Sequence, residues 1–155
     1  PGQVVIAGSK VAVERAIVAC QEAGARRAMA LPVSVPSHCA LMRPAAERLA
    51  EAIQTIELRA PRYSVIQNVD AQAHADTATL STRLVEQLYQ PVRWSACVEA
   101  MADQGVEVFI ECGPGKVLTG LNKRIVKGSK GLAVNDPDSL EAALELARET
   151  LADKA

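Results

Sequence analysis

Apolar residues along the chain alternate between two periods. Gln3 to Ala7 is a short Val- and Ile-rich run stopped by Gly8 and reads as a strand. Val13, Ile17 and Cys20 then recur at the spacing of one helix face, with Ser9 in the capping position before them and Gly24 in the closing position after them. Arg27 to Ser34 is a second strand candidate, so residues 1–34 read as a βαβ unit that needs further strands to be complete. Pro32, Pro36 and Pro44 change the texture. Each disfavours helix at the residue before it, and a domain junction falls near Val35. A helix follows from about Pro44 to Ile53, with Ala46, Leu49, Ala50 and Ile53 as its apolar stripe.

Tyr63 to Val69 reads as a strand of a largely buried sheet, and Asp70 to Thr77 as a polar loop. Leu80, Leu84 and Leu88 mark a helix that Pro91 interrupts. Trp94, Cys97 or Val98, and Met101 mark another, ended by Gly105. Val106 to Cys112 is a strong strand, Gly113-Pro114-Gly115 a tight turn, and Val117, Leu121 and Ile125 a further helical stripe. Leu132 to Asn135 is a short strand, and Asp136-Pro137 opens a last helix carrying Leu140, Leu144, Ala147 and Leu151 on one face. Strands alternating with helices define an α/β chain with a mostly parallel sheet. There is no internal repeat, and the tail after Leu151 is expected to fray.

Of the 155 residues, 49% are apolar and 23% charged, a globular balance that excludes disorder. Aromatics are only 3%, so the core is aliphatic, and stacking platforms for single-stranded nucleic acid are not expected. Basic and acidic residues, 17 against 18, leave a net charge of −1, unlike a strongly basic nucleic-acid binder. No apolar run approaches the roughly 20 residues that span a bilayer. The start, Pro1-Gly2-Gln3-Val4, has neither the charged region nor the apolar segment of a signal peptide. It lacks Met and runs straight into a strand, so the chain is expected to be cut from a longer protein.

Candidate chemistry is sparse. Cys20, Cys39, Cys97 and Cys112 form no CxxC pair and only two histidines are present, so no zinc signature exists; each cysteine reads as a reduced, buried thiol of a cytoplasmic protein. Gly113-Pro114-Gly115-Lys116 follows a strand and opens a helix, but it has no Walker spacing and no third dinucleotide glycine, and it reads as a structural turn. His74, between Asp70 and Asp76, reads as a solvated loop residue. His38 stands apart, on a proline-bounded loop just after an expected strand, where a group titrating near neutral pH suits acid–base work. Cys39 is its neighbour, but adjacent side chains of an extended chain point to opposite faces, so the two do not make a nucleophile pair. No G-x-S-x-G elbow is present. From the residues alone this is an α/β protein with one candidate histidine, and a small nucleotide-binding domain stays open as a reading.

Three segments carry a resemblance: Gln3-Val4-Val5-Ile6-Ala7-Gly8; Leu31-Pro32-Val33-Ser34-Val35-Pro36-Ser37-His38-Cys39-Ala40-Leu41-Met42; and Glu111-Cys112-Gly113-Pro114-Gly115-Lys116-Val117-Leu118-Thr119-Gly120-Leu121. With Gln67-Asn68-Val69-Asp70 and Gln87-Leu88-Tyr89, they closely resemble the bacterial malonyl-CoA:acyl carrier protein transacylases of fatty acid biosynthesis. The similarity runs in order over essentially the whole chain, which looks like the C-terminal half of such an enzyme. The resemblance implies that residues 1–34 are the second half of an inserted ferredoxin-like small subdomain. Residues 35–155 would then be the C-terminal part of an α/β-hydrolase-like large subdomain.

It further implies transfer of malonyl from malonyl-CoA to the phosphopantetheine thiol of acyl carrier protein through an acyl-serine. His38 would be the catalytic base, the main-chain carbonyl of Gln87 its orienting group, and Ser37 a substrate-binding position. No metal and no cofactor are implied beyond the coenzyme A and phosphopantetheine that the substrates carry. The partners implied are acyl carrier protein, malonyl-CoA and the missing N-terminal half; nucleic acid and membrane are not. The nucleophile and its elbow are absent from this sequence, so the chain alone is expected to be inactive. The alternative is a non-catalytic module that binds carrier protein or coenzyme A. Arg43 and Lys116, near signature segments, are candidates for meeting an acidic carrier.

Overall fold

The computed structural model describes residues 2–152. In chain order it contains α1 (Lys10–Glu22), a 3-10 turn (Ala40–Met42), α2 (Arg43–Gln54), α3 (Thr77–Glu86), α4 (Trp94–Asp103), β1 (Val108–Cys112), α5 (Val117–Ile125), β2 (Lys130–Val134) and α6 (Pro137–Ala152). These fall into two compact units, residues 2–93 and 94–152 of the described chain. Of the tail expected to fray, residues 153–155 lie outside the described residues.

In the second unit β1 and β2 are parallel, paired from Val108 opposite Lys130 to Cys112 opposite Val134. Parallel neighbours need a crossover, and α5 supplies it. A Cβ at Gly131 would lie 3.3 Å from Thr119 Cγ2 and 3.5 Å from the Phe109 carbonyl oxygen, so glycine there lets α5 close onto the sheet. Val98 and Cys97 of α4, Phe109 of β1 and Ala143 of α6 form the buried centre. The buried Asn122 of α5 accepts from Trp94 Nε1–H at 3.0 Å, which satisfies two polar groups at once.

Glu111 has a role that the sequence reading missed. Its carboxylate accepts the main-chain N–H groups of Leu118 and Thr119 at 3.2 and 2.7 Å and the Thr119 hydroxyl at 2.7 Å. Burial pushes the carboxyl up, but these bonds outweigh it and hold it below the ordinary value of 4.5. The first turn of α5 is therefore already filled by an anion of the chain itself. Gly113-Pro114-Gly115 is accordingly a structural turn, not a phosphate cradle.

The last helix starts as its sequence dictates. Asp136 accepts from the Ser139 N–H at 2.8 Å, and the Ser139 hydroxyl accepts back from the N–H groups of Asn135 and Asp136, each at 3.1 Å. Its buried face differs from the expected one. α6 meets a sheet two strands wide and seats its small Ala143 there, 3% exposed, which turns Leu140, Leu144 and Leu151 outward at 47, 47 and 71%.

In the first unit α1 ends in a paired left-handed cap, with Gly24 at φ 85°, its N–H on Gln21 and that of Ala25 on Cys20. Ser9 holds the capping position but its side chain makes no capping bond. Ala46 and Ile53 of α2 are buried on the expected stripe, and α2 packs against α3, whose Leu80 is buried. Asp76 starts α3 by accepting from the Thr79 N–H at 2.7 Å.

Three expected strands are corrected. Residues 3–7, 27–34 and 63–69 form no ladder among the described residues beyond an antiparallel bridge between Ile66 and Ala73. A strand is made by its partner, and these segments find none here: Val4, Val33 and Tyr63 stand 86, 71 and 73% exposed. The cysteines also differ from expectation. Only Cys97 is buried; Cys39 is half-buried, and Cys20 and Cys112 are exposed.

Candidate active site

The loop after Pro36 turns sharply at His38, whose φ of 61° lies in the left-handed region. Such a conformation costs a side-chain-bearing residue about 1–2 kcal/mol. Two bonds to consecutive carbonyls offset it. The His38 N–H donates to the Leu88 oxygen at 2.9 Å, and ring atom Nδ1 lies 2.6 Å from the Gln87 oxygen.

The second bond fixes the ring's chemistry. A carbonyl oxygen only accepts, so Nδ1 carries the proton, and the lone pair of the neutral ring sits on Nε2. Among the described residues Nε2 has no hydrogen-bond partner, and His38 is exposed. Ser37 is exposed beside it. Cys39 turns away, its Sγ donating to the Pro36 oxygen at 3.2 Å. The ring is thus presented with a free basic nitrogen, and the adjacent thiol is occupied elsewhere.

The two carbonyls come from the end of α3. Its ladder runs on to Gln90, whose N–H donates to Glu86 at 2.8 Å, and the oxygens beyond are those a helix terminus leaves open. They form the negative end of the helix dipole. Gln87 is held through its side chain as well, its Oε1 accepting from Asn68 Nδ2 at 3.3 Å. The Arg43 guanidinium stacks over the Tyr89 ring, 4.5 Å from its centroid, and ties the start of α2 to the turn that follows α3. Lys116, at the start of α5 in the other unit, is exposed.

His74 is a correction. It is not solvated but donates Nε2–H to Asp70 at 2.8 Å, with its side chain 17% exposed. Asp70 also pairs with Arg83 of α3 at 2.8 Å and accepts from the Gln72 N–H at 3.1 Å. Burial pushes the Asp70 carboxyl up, but the bonds from His74 and Gln72 and the charges of His74 and Arg83 hold it below its ordinary 3.8. The signal was present in the sequence as an Asp and a His four residues apart beside a helix that carries Arg83. No group of three or more His, Cys, Asp or Glu is gathered for a metal ion among the described residues, and none of their helices is long and apolar enough to cross a membrane.

A histidine whose Nδ1 is held by a main-chain oxygen and whose Nε2 is left open is equipped to move a proton, and comparison with known proteins supplies the class. The profile of the acyl transferase domain family matches residues 1–150, and the chain belongs to that family. Its relatives narrow the class. It is 57% identical over 145 residues to the malonyl CoA-acyl carrier protein transacylase of Haemophilus influenzae, covering 94% of this chain and 46% of that protein. It is 42% identical to the Bacillus subtilis protein of the same name, covering 96% of this chain and 47% of that one. Among solved structures it superposes on an acyl carrier protein S-malonyltransferase from Vibrio cholerae with a TM-score of 0.82 and 61% identity, covering 87% of this chain and 44% of that one. It matches a malonyl-transacylase solved with a type II acyl-carrier protein at a TM-score of 0.85 and 53% identity, covering 89 and 45%. The chain spans about half the length of the curated relatives it matches.

Proposed function

We propose that the chain supplies the general base of a malonyl-CoA:acyl carrier protein transacylase. Residues 1–34 would belong to a ferredoxin-like small subdomain, and residues 35–155 to the C-terminal part of an α/β-hydrolase-like large one. The serine nucleophile is contributed by the remaining half. His38 Nε2 takes the serine proton as the serine oxygen attacks the malonyl thioester, and the imidazolium returns it to the departing coenzyme A thiolate. With the carrier's phosphopantetheine thiol the same proton moves run in reverse, and malonyl leaves as the carrier thioester. The Gln87 oxygen, at the negative end of α3, stands where a triad has its carboxylate and holds the tautomer that this requires. Ser37, small and exposed beside the base, lies against the acyl group.

Malonyl-CoA and acyl carrier protein are the substrates, and no further cofactor is needed. The reaction is one of cytoplasmic fatty acid synthesis. Arg43 and Lys116 are offered to the acidic carrier, Arg43 from its stacked position on Tyr89. The observation that carries the proposal is the 2.6 Å approach of His38 Nδ1 to the Gln87 oxygen, which leaves Nε2 free and basic.

The test uses a hybrid, the Haemophilus influenzae transacylase with its matching segment replaced by this chain. Malonyl transfer to carrier protein is expected, with loss of about 10²–10⁴-fold in His38→Ala. A hybrid that binds carrier protein but is indifferent to His38→Ala would favour a binding module instead.

A further inference from the structure

We infer that Pro91 is a positioning residue for His38, a role that rests on the site proposed above. The ladder of α3 continues past its regular end through Gln90 N–H to Glu86 oxygen, at 2.8 Å. The next rung would run from the N–H of residue 91 to the oxygen of Gln87. Residue 91 is proline and has no N–H. Leu88 and Tyr89 already bond three residues back, to Val85 and Glu86, so the helix is closing here; the Gln87 oxygen receives no donor from residue 91, and the bond it accepts comes from His38 Nδ1 at 2.6 Å. The imidazole occupies the missing rung.

The surroundings fit this role. Pro91 is exposed, with no packing role among the described residues to account for it. Two residues on, the Arg93 N–H is tied to the Asn68 oxygen at 2.8 Å, which keeps the chain from winding far beyond one added rung. Asn68 also grips the Gln87 side chain, so the peptide that carries the oxygen is held from outside the helix as well. A donor restored at position 91 would compete with the ring for a single oxygen. One net hydrogen bond is worth about 0.5–1.5 kcal/mol, which corresponds to a roughly three- to tenfold loss of correctly held imidazole.

The experiment uses the hybrid transacylase with Pro91→Ala and with lactic acid at position 91, which has the shape of alanine but an ester oxygen in place of the N–H. Pro91→Ala is expected to lower kcat by about three- to tenfold with KM for malonyl-CoA unchanged, and to add nothing in a His38→Ala background. The lactic acid variant is expected to keep the rate of the unsubstituted hybrid. Equal losses in both variants would mean that the proline ring matters and the missing N–H does not, and would overturn the inference. So would a silent Pro91→Ala, or a loss of the same size with and without His38. Pro91→Gly restores the donor with less helical bias and serves where Pro91→Ala does not fold. If His38→Ala is itself silent, it is the base assignment that fails.

Discussion

Removing the His38 side chain separates catalysis from stability. In His38→Gly the left-handed backbone, at φ 61°, no longer carries a Cβ, which relieves about 1–2 kcal/mol. Against this stand the extra unfolded-state freedom of glycine, about 0.4–1 kcal/mol, and the lost ring bond to Gln87, about 0.5–1.5 kcal/mol. The bond from the main-chain N–H to Leu88 survives. The net change in stability is thus within about 1.5 kcal/mol of zero. With His38 in the proposed role of base, the rate is expected to suffer far more. Loss of a general base costs about 10²–10⁴-fold, or about 2.7–5.5 kcal/mol of barrier. Transfer of labelled malonyl to carrier protein by the hybrid, beside its thermal unfolding, reads both quantities. The ring is exposed, so added imidazole should return part of the lost rate. Transfer within about threefold of the unsubstituted hybrid, or a loss explained by unfolding at the assay temperature, would sink the assignment.

Other expectations follow from single contacts. Gln87→Ala keeps the orienting oxygen but frees the peptide from Asn68, and should slow transfer by only about three- to tenfold, well short of His38→Ala; an equal loss in the two would show that the side chain itself does chemistry. Glu111 is held below 4.5 in the folded chain, so its contribution is complete above that pH and is lost as the pH falls through the lowered folded value. Denaturant midpoints of Glu111→Gln and the unsubstituted protein should therefore converge on acidification and separate above about pH 4.5, and parallel curves would contradict the sign. Asn122→Ala strands the indole N–H of Trp94 and should cost about 1–3 kcal/mol, with a shift in fluorescence of the one tryptophan; an unchanged midpoint would mean that water replaces the amide.

Helices were legible in the sequence because their signals are local. Ala46 and Ile53 face inward as their spacing requires, Gly24 closes α1, and Asp136 with Pro137 opens α6. The strand at Val108–Cys112 was legible because its partner at Lys130–Val134 lies in the same chain. The runs 3–7, 27–34 and 63–69 have the right composition and lack that partner, which no local pattern can announce. The rotation of α6 was hidden for a related reason, since leucine spacing names an apolar face but not the width of the sheet it meets. At the site, His38 stood out by its loop and by resemblance. Its left-handed backbone had no signal, because histidine is not the residue that such a turn demands. Glu111 reads as one polar position within an apolar strand, although an acid just before a glycine turn and a helix start is well placed to cap that helix.

The oxygen that orients His38 belongs to the main chain, and all twenty amino acids carry it. Its location is therefore encoded in the length of α3 rather than in the identity of any residue there. Adding or removing one residue within Thr77–Glu86 turns everything beyond it by about 100° and moves it by about 1.5 Å, enough to carry both acceptors away from the loop. Scanning the exposed positions of this helix, Ala78 and Thr82, with substitutions should find tolerance, while scanning the helix with single-residue deletions should cost malonyl transfer as heavily as loss of the histidine. Equal tolerance in the two scans would mean that the loop, and not the helix, sets where the ring points.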